Sequence, residues 1–273
     1  VCLGLNYYLP VEQNEFKVAS YALGDDYHIF MKDKINQLFD YIKLLKPESQ
    51  GRAYVDTAPV LERSLAKRAG LGWIGKNTML INPQKGSYFL LGELFLDLEL
   101  EYDSAIQDYC GTCTRCIDAC PTKAIIEPGK IDSKLCISYL TIESKQEIPQ
   151  ELANNFEKYI FGCDICQDVC PWNKFSVFSE IDDVKPRIWL KNKNILDLLN
   201  MNQEEFSKTF KNSPVKRTKL KGFLRNIIAM ISSLKDKKYL PILEKLVHYE
   251  EPMVSNQAKK AINKLSESEF TEF

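Results

Sequence analysis

The amino-acid sequence predicts an α+β protein of several domains, because its three stretches differ in character. Strand and helix patterns alternate over residues 1–105, a cysteine-rich stretch covers 106–180, and the pattern over 181–273 is almost wholly helical. At 273 residues the chain is longer than one typical domain. We therefore expect an α/β domain, a small cysteine-bound domain and a C-terminal helical domain.

The α/β prediction for the first domain comes from short apolar runs separated by an amphipathic helix. Residues 1–9 alternate weakly, as a strand does, while apolar residues at helical spacing cover 28–45 and Pro47 follows that run. Further strands are predicted over 78–81 and 88–100. Strands that alternate with helices are typical of a layered α/β domain.

Asp56 follows a short predicted strand over 53–55. Thr57 can cap the next helix, Pro59 suits its first turn and Gly70 suits its end. An acid at a strand end beside a helix start often lies where an α/β domain binds its ligand. From this stretch alone, however, a turn or capping role for Asp56 is the favoured interpretation.

The loop from Gly70 to Asn77 contains three glycines, which allow a ligand or a neighbouring backbone to come close. Its glycine spacing matches G-x-G-x-x-G but follows a helix rather than a strand, so we reject a dinucleotide fingerprint. Lys76 is followed by Asn77 instead of Ser or Thr, which also excludes a Walker A loop.

Eight of the nine cysteines form two tight groups. The first is a C-x2-C-x2-C-x3-C-P run and the second is a compressed run with one cysteine displaced upstream. By the sharing rule of bacterial ferredoxins, three thiolates of the first run take the last cysteine as their fourth ligand. The two predicted 4Fe–4S ligand sets are Cys110, Cys113, Cys116 and Cys170 for one cluster, and Cys120, Cys136, Cys163 and Cys166 for the other.

A disulfide framework and zinc sites are the alternatives for these cysteines. Closely spaced C-x2-C pairs suit metal sites better than loop-closing bridges. The first run is too dense for two separate zinc sites, so iron–sulfur clusters are the favoured interpretation. Such clusters need reduced thiols, which predicts a cytoplasmic protein; Cys2 lies outside both sets and is expected to be a buried strand thiol.

The run from Lys208 to Lys238 carries a formal charge of +9, although the whole chain carries -1. This segregation predicts a phosphate-binding face, and an ordinary solvated helix face is the alternative. Helices predicted over 222–234, 239–248 and 252–265 resemble about one and a half HEAT-type repeats. The residues expected to contact nucleic acid are Lys216, Arg217, Lys219, Lys221 and Arg225.

The motifs taken together resemble the epoxyqueuosine reductase family. They are YVDTAPV (54–60), the loop AGLGWIGKNT (69–78), both cysteine runs and LCISYLTIE (135–143). The resemblance implies a cobalamin-binding first domain, a ferredoxin-like domain with two 4Fe–4S clusters and a HEAT-like tRNA-binding domain. It implies reduction of an epoxide on the wobble base of tRNA to an alkene. The family is longer at both ends, so we expect an N-terminal piece to precede Val1.

The resemblance also implies roles for single residues. Asp56 matches the proton-donating aspartate that faces the corrin, and we expect burial to raise its pKa. Ser138 and Thr141 are expected to face the corrin or the substrate. The glycine loop matches a stretch that lines the corrin, which assigns cofactor contacts to Gly72, Trp73, Ile74, Gly75, Lys76 and Asn77.

The expected partners are the anticodon loop of tRNA and an external electron donor such as a flavodoxin or ferredoxin system, with the chain acting as a monomer. No window is long and apolar enough to predict a membrane span. His28 is expected to be an ordinary helix-start residue. Two other functions stay open: a reductive dehalogenase-like enzyme acting on a small molecule, and a non-catalytic iron–sulfur electron-transfer subunit.

Overall fold

The computed structural model describes residues 1–13, 15–234 and 236–267. Lys235 of the basic run and the helical prediction for 268–273 lie outside these residues. The strands of the described residues are β1 (Cys2–Asn6), β2 (Lys17–Val18), β3 (Gly51–Tyr54), β4 (Trp73–Ile74), β5 (Leu80–Ile81), β6 (Phe89–Leu96), β7 (Ile125–Glu127), β8 (Lys130–Ile131) and β9 (Tyr159–Phe161).

Short helices dominate the middle of the chain and longer ones its two ends. The α-helices of the described residues are α1 (Tyr27–Leu45), α2 (Glu62–Arg68), α3 (Arg115–Asp118), α4 (Ile137–Ile142), α5 (Gln150–Ala153), α6 (Ile165–Asp168), α7 (Trp189–Asn192), α8 (Ile195–Leu199), α9 (Gln203–Thr209), α10 (Lys219–Leu234), α11 (Leu240–Leu246) and α12 (Pro252–Glu267). Within the described ranges, no helix is long and apolar enough to cross a membrane.

The N-terminal sheet has the order β1-β6-β3, and both of its strand pairs are antiparallel. The predicted strands and α1 are confirmed, but the α/β label for this domain is wrong because α/β sheets are mainly parallel. Helix α1 packs on one face, where Met31 and Ile35 come close to Gly92. Helix α2 also packs against β6.

The helix after Asp56 begins later than predicted. It starts at Glu62, preceded by Leu61, so Thr57 does not cap it and Pro59 is not in its first turn. Residues 55–61 instead form an irregular turn, which we call the Asp56 loop; the Thr57 amide donates to the Val55 carbonyl at 2.6 Å. Gly70 does follow the helix end, with a φ of +72° that glycine adopts readily.

The C-terminal helices pack around α10, in which residues 222–232 are all buried. This core also contains Phe16 and Val18 from the N-terminal third of the chain. Strand β2 reaches it by pairing in parallel with β9. The domain boundaries at 105 and 180 stay a prediction, and the segment around β2 packs across them.

Candidate functional site

The first cysteine run folds as a series of tight turns around α3. The amide of Cys113 donates to the carbonyl of Cys110 at 3.1 Å. Two N–H groups also point at sulfur: the Ala124 amide donates to Cys120 Sγ at 3.2 Å and the Trp73 indole to Cys110 Sγ at 3.4 Å. Hydrogen bonds of this kind stabilise the negative charge of a thiolate, as cluster ligation requires.

The structure brings together the cysteines predicted for one cluster. Burial raises the pKa of the Cys116 thiol, and the nearby thiols of Cys170 and Cys110 raise it further. The pKa of Cys170 is raised in the same way, by burial first and also by Cys110 and Cys113. These four side chains are therefore neighbours although Cys170 is distant in sequence.

The second predicted set is also assembled. Burial raises the pKa of Cys163 to about 12, and the thiols of Cys136 and Cys120 act in the same direction. The pKa of Cys166 is raised by burial first, then by Cys163 and Cys136, and also by Cys116 of the other set. The two sets therefore adjoin, as two clusters that exchange electrons require.

In the part of the chain that the structure describes, no three His, Cys, Asp or Glu side chains form a group that could hold a single metal ion. In a 4Fe–4S cluster each thiolate binds a different iron, so its ligands stand farther apart.

The glycine loop lies against the first cysteine run rather than in an open cavity. The Lys76 ammonium donates to the carbonyls of Gly111 at 2.6 Å and Cys113 at 2.9 Å. Asn77 is 1% exposed, and its amide donates to the Cys166 carbonyl. Trp73 is fully buried and packs edge-on against Tyr109 and Trp172.

These contacts place the loop against the cysteine run, and its predicted contact with the corrin stays a prediction. The loop glycines serve the β4–β5 hairpin, because a Cβ on Gly72 would lie 2.2 Å from the Ile81 carbonyl oxygen and one on Gly75 would meet the Ile81 side chain. Ile74 belongs to the same hairpin, pairing with Leu80. None of the residues 72–77 lines the cavity beside Asp56.

The cavity beside Asp56 has a volume of about 630 Å³. The carboxylate of Asp56 accepts hydrogen bonds from the Tyr27 hydroxyl at 3.1 Å and from His28 Nε2 at 3.0 Å. The other ring nitrogen of His28 lies 2.7 Å from Asp26, which also caps α1 by accepting from the His28 amide. Asp56 itself has a φ of +52°, a left-handed conformation that Asp tolerates better than most residues.

The electrostatics of this cavity differ from the expectation. Hydrogen bonding from His28 holds the pKa of Asp56 below its usual range and outweighs the opposing effect of burial. Burial alone would lower the pKa of His28, but hydrogen bonds to Asp26 and Asp56 raise it to about 9. At neutral pH the proton at this site therefore rests on His28, and Asp56 is ionised.

The basic run reaches the same cavity. Lys216 and Arg217 lie in the turn before α10 and line the cavity with Asp56. Arg217 forms an ion pair with Glu143 at 2.9 Å. The exposed Lys219 follows that turn, and the Lys221 ammonium pairs with Glu251 at 3.0 Å. A cationic edge therefore borders the Asp56 carboxylate.

Arg225 must be removed from the predicted nucleic-acid contacts. It is 1% exposed, and its guanidinium donates to the carbonyls of Ser144, Gln146 and Leu140 at 2.7–2.8 Å. All of this hydrogen bonding lies inside the protein, so Arg225 cannot reach a phosphate. Its role is to tie α10 to the end of α4 and the segment that follows.

Thr141 is likewise not a cofactor contact. Its side chain is fully buried, donates to the Ile137 carbonyl at 2.7 Å and accepts from the Gly162 amide at 2.9 Å. It thus joins α4 to the segment before Cys163. Ser138 is half-buried, and its predicted contact with corrin or substrate stays a prediction.

His28 and Tyr27 are site residues that the sequence alone did not reveal. A helix-start interpretation is correct as far as it goes, since α1 begins at Tyr27. The available signal was weak: a titratable pair at the start of one helix, and a lone acid 28 positions later along the chain. Only the contact of α1 with the sheet brings them together.

Two protein families match this chain. A family described as 4Fe–4S double cluster binding domain matches residues 109–173, and one described as epoxyqueuosine reductase QueG, DUF1730 matches residues 1–57. The epoxyqueuosine reductase of Leadbetterella byssophila is 51% identical over 229 residues, which cover 83% of this chain and 75% of the relative. That of Cyclobacterium marinum is 49% identical over 238 residues, with 83% and 74% covered.

Solved structures show the same similarity. A crystal structure of selenomethionine-labelled epoxyqueuosine reductase superposes with a TM-score of 0.90 at 31% identity and covers 97% of this chain and 72% of that chain. A crystal structure of epoxyqueuosine reductase with an epoxyqueuosine-modified stem loop of tRNA-Tyr has a TM-score of 0.89 at 32% identity, with the same coverage.

Proposed function

This chain belongs to the epoxyqueuosine reductase family, and we propose that it reduces epoxyqueuosine in tRNA to queuosine. The reaction converts an epoxide into an alkene, consumes two electrons and two protons, and releases the epoxide oxygen as water. One observation carries the proposal: two adjoining sets of four cysteines connect to a cavity that holds a proton-bearing Asp56–His28 pair and a cationic edge.

The clusters supply the electrons of the reaction. Cys136 immediately precedes α4, and Ile142 and Glu143 at the other end of that helix line the Asp56 cavity. Phe161 at the end of β9 lines it as well, two residues before Cys163. The set containing Cys136 and Cys163 is thus joined to the cavity by two short elements.

Cobalamin is the cofactor of the reduction, and when bound it would supply the low-valent metal centre through which electrons reach the epoxide. A second cavity of about 1310 Å³, which Cys170 helps to line, includes Ser20, whereas the adjacent Tyr21 lines the Asp56 cavity. Consecutive residues thus line the two cavities, and we propose that the larger one holds the corrinoid, between the cluster at Cys170 and the substrate in the Asp56 cavity. Both ring nitrogens of His28 are engaged by Asp26 and Asp56, so this histidine is not free to ligate cobalt.

The chain's own residues supply the proton. A proton moves from His28 Nε2 to Asp56 Oδ2, 3.0 Å away, and from there to the leaving epoxide oxygen; solvent then reprotonates His28, which delivers the second proton by the same route. This relay removes the need for a raised pKa on Asp56, because the imidazolium stores the proton at neutral pH. The Tyr27 hydroxyl holds the same carboxylate oxygen in place.

Lys216, Arg217 and Lys219 bind tRNA phosphates beside the cavity, while the wobble nucleoside enters it. A cavity of about 630 Å³ suits a nucleoside-sized ligand. Phosphate contacts of this kind supply affinity and orientation, and the shape of the cavity selects the base.

The direct test uses the protein with reconstituted clusters and cobalamin, a chemical reductant and an epoxyqueuosine-containing tRNA stem loop. We expect mass spectrometry of the nucleosides to show loss of one oxygen atom, and no loss when cobalamin is omitted. Failure to reduce the stem loop despite intact cluster and cobalt spectra would refute the function. Reduction of a halogenated phenol instead would favour the dehalogenase alternative, and a protein that shows no cobalt signal with added cobalamin would favour the electron-transfer subunit.

A further inference from the structure

A buried carboxyl group lies behind the Asp56 loop, in the centre of the N-terminal sheet. Glu93 is on β6, opposite Cys2 on one neighbouring strand and Tyr54 on the other. It is 2% exposed, and neither of its carboxyl oxygens has a hydrogen-bond partner among the described residues. An ionised carboxylate left in that state would be costly, which indicates that Glu93 carries a proton.

The side chain that most affects the ionisation of Glu93 is a second carboxyl group, that of Glu62 at the start of α2. Burial raises the pKa of Glu93 to about 7, and the nearby carboxylate of Glu62 raises it as well because two like charges repel. Burial also raises the pKa of Glu62. A proton on Glu93 converts one unpartnered oxygen into a donor towards Glu62, so a single proton satisfies both groups.

Glu62 in turn holds the Asp56 loop. Its Oε1 accepts a hydrogen bond from the Asp56 backbone amide at 2.5 Å. This contact holds a residue with a φ of +52°, in a loop of which about half the residues are exposed. A left-handed conformation at a residue other than glycine persists only where its surroundings hold it in place.

We propose that Glu62 and Glu93 form a carboxyl pair that shares one proton and positions the Asp56 loop for proton transfer to the substrate. Glu93 holds the proton, Glu62 stays ionised, and its free oxygen holds the Asp56 amide. The two glutamates are positioning residues, since neither lines the Asp56 cavity. The inference rests on the proposed function, in which Asp56 acts as the proton donor.

The first test measures hydrogen–deuterium exchange of the Asp56 loop in the full protein, without substrate. We expect Glu62→Ala to speed exchange there, and to lower kcat by about 10- to 100-fold with the KM for the stem loop unchanged, because a misplaced donor costs turnover rather than binding. Glu204→Ala, which removes an exposed glutamate from the first turn of another helix, is the control and should alter neither. Should Glu62→Ala not fold, Glu62→Asp shortens the reach by one methylene and gives the same comparison.

The second test addresses Glu93 and the shared proton. Glu93→Gln keeps a donor towards Glu62, so exchange and kcat should stay within about twofold of wild type. Glu93→Leu removes that donor, and both measurements should then change in the direction seen for Glu62→Ala. The infrared band of a protonated carboxyl group should be present in the wild type and absent in Glu93→Gln.

Loop exchange that is unchanged in Glu62→Ala or in Glu93→Leu would overturn the proposal, as would a protonated-carboxyl band that survives Glu93→Gln. These measurements need no turnover. A protein that never reduces epoxyqueuosine would therefore refute the proposed function and leave the positioning result standing.

Discussion

The cysteine-rich stretch and the Asp56 cavity are built in opposite ways. Most of the cysteines are held by tight turns and short helices that connect near neighbours in sequence. The cavity instead takes His28 from α1, Asp56 from the loop after β3, Glu143 from the end of α4 and Arg217 from the turn before α10. A cluster site is therefore visible as spacing along a chain, whereas a catalytic cavity becomes visible only once distant segments have packed together.

The largest expected effect comes from removing a cysteine that lies far from its partners in the sequence and is brought beside them only by the fold. Cys170→Ala should destroy the same cluster as Cys113→Ala, lower the iron and sulfide content by about half and abolish turnover. Iron analysis and electron paramagnetic resonance of both variants provide the measurement. Cys2→Ala is the matched control and should keep the full iron content; different residual signals in the two cluster variants would contradict the shared set.

Asp56→Asn tests whether the cavity performs the proton transfer. The substitution keeps the size of the side chain but removes the acid, so turnover should fall by about 10²- to 10⁴-fold. Cobalamin binding, followed by the visible spectrum, should be retained. Asp40→Asn on the exposed part of α1 should leave turnover unchanged. Full activity in Asp56→Asn would rule out the proposed donor.

His28→Gln tests the cavity residue that no local pattern revealed. Turnover should fall by about 10- to 100-fold, and the wild-type rate should decline as pH rises through about 9, where the imidazolium loses its proton. The measurement is the pH–rate profile of both proteins. A wild-type profile that stays flat through this range would count against the relay.

The raised pKa of His28 also predicts how the stability of the protein depends on pH. In the folded protein His28 has a pKa of about 9, above the ordinary 6.5. Its contribution to the free energy of unfolding, at most about 3 kcal/mol before solvent screening reduces it, is fully present below pH 6.5 and is lost as pH rises through about 9. The difference in melting temperature between wild type and His28→Gln should shrink over that range. A difference in melting temperature that grew with pH would contradict this prediction.

Neutralising the basic turn should have the smallest effect on chemistry. Combined Lys216→Ala and Lys219→Ala substitutions should weaken stem-loop binding and reduce the salt dependence of the affinity by about one unit of slope for each phosphate that is no longer neutralised. Turnover at saturating stem loop should change little. Lys34→Ala on exposed α1 is the matched control, and unchanged affinity in the double variant would refute the tRNA contact.

The contrast between Arg225 and Lys216 shows where prediction from the sequence stops. Both belong to the same basic run, but the Arg225 guanidinium is buried against backbone carbonyls, whereas Lys216 lines the Asp56 cavity. The helical pattern of α10 predicts that some of its residues face inward. The charge of Arg225 alone did not show that this residue is one of them. Thr141 failed as a cofactor contact for the same reason, since its hydroxyl is used within the fold.

Spacing and composition along the chain were enough to predict the two cysteine sets, the main helices and strands, and the basic character of the C-terminal region. The packing of remote segments was needed to establish that the N-terminal sheet is antiparallel, that the glycine loop supports the cysteine run and that His28 meets Asp56. The same packing places the proton on the imidazole. Such outcomes depend on burial and on distances between segments far apart in sequence, which no local pattern encodes.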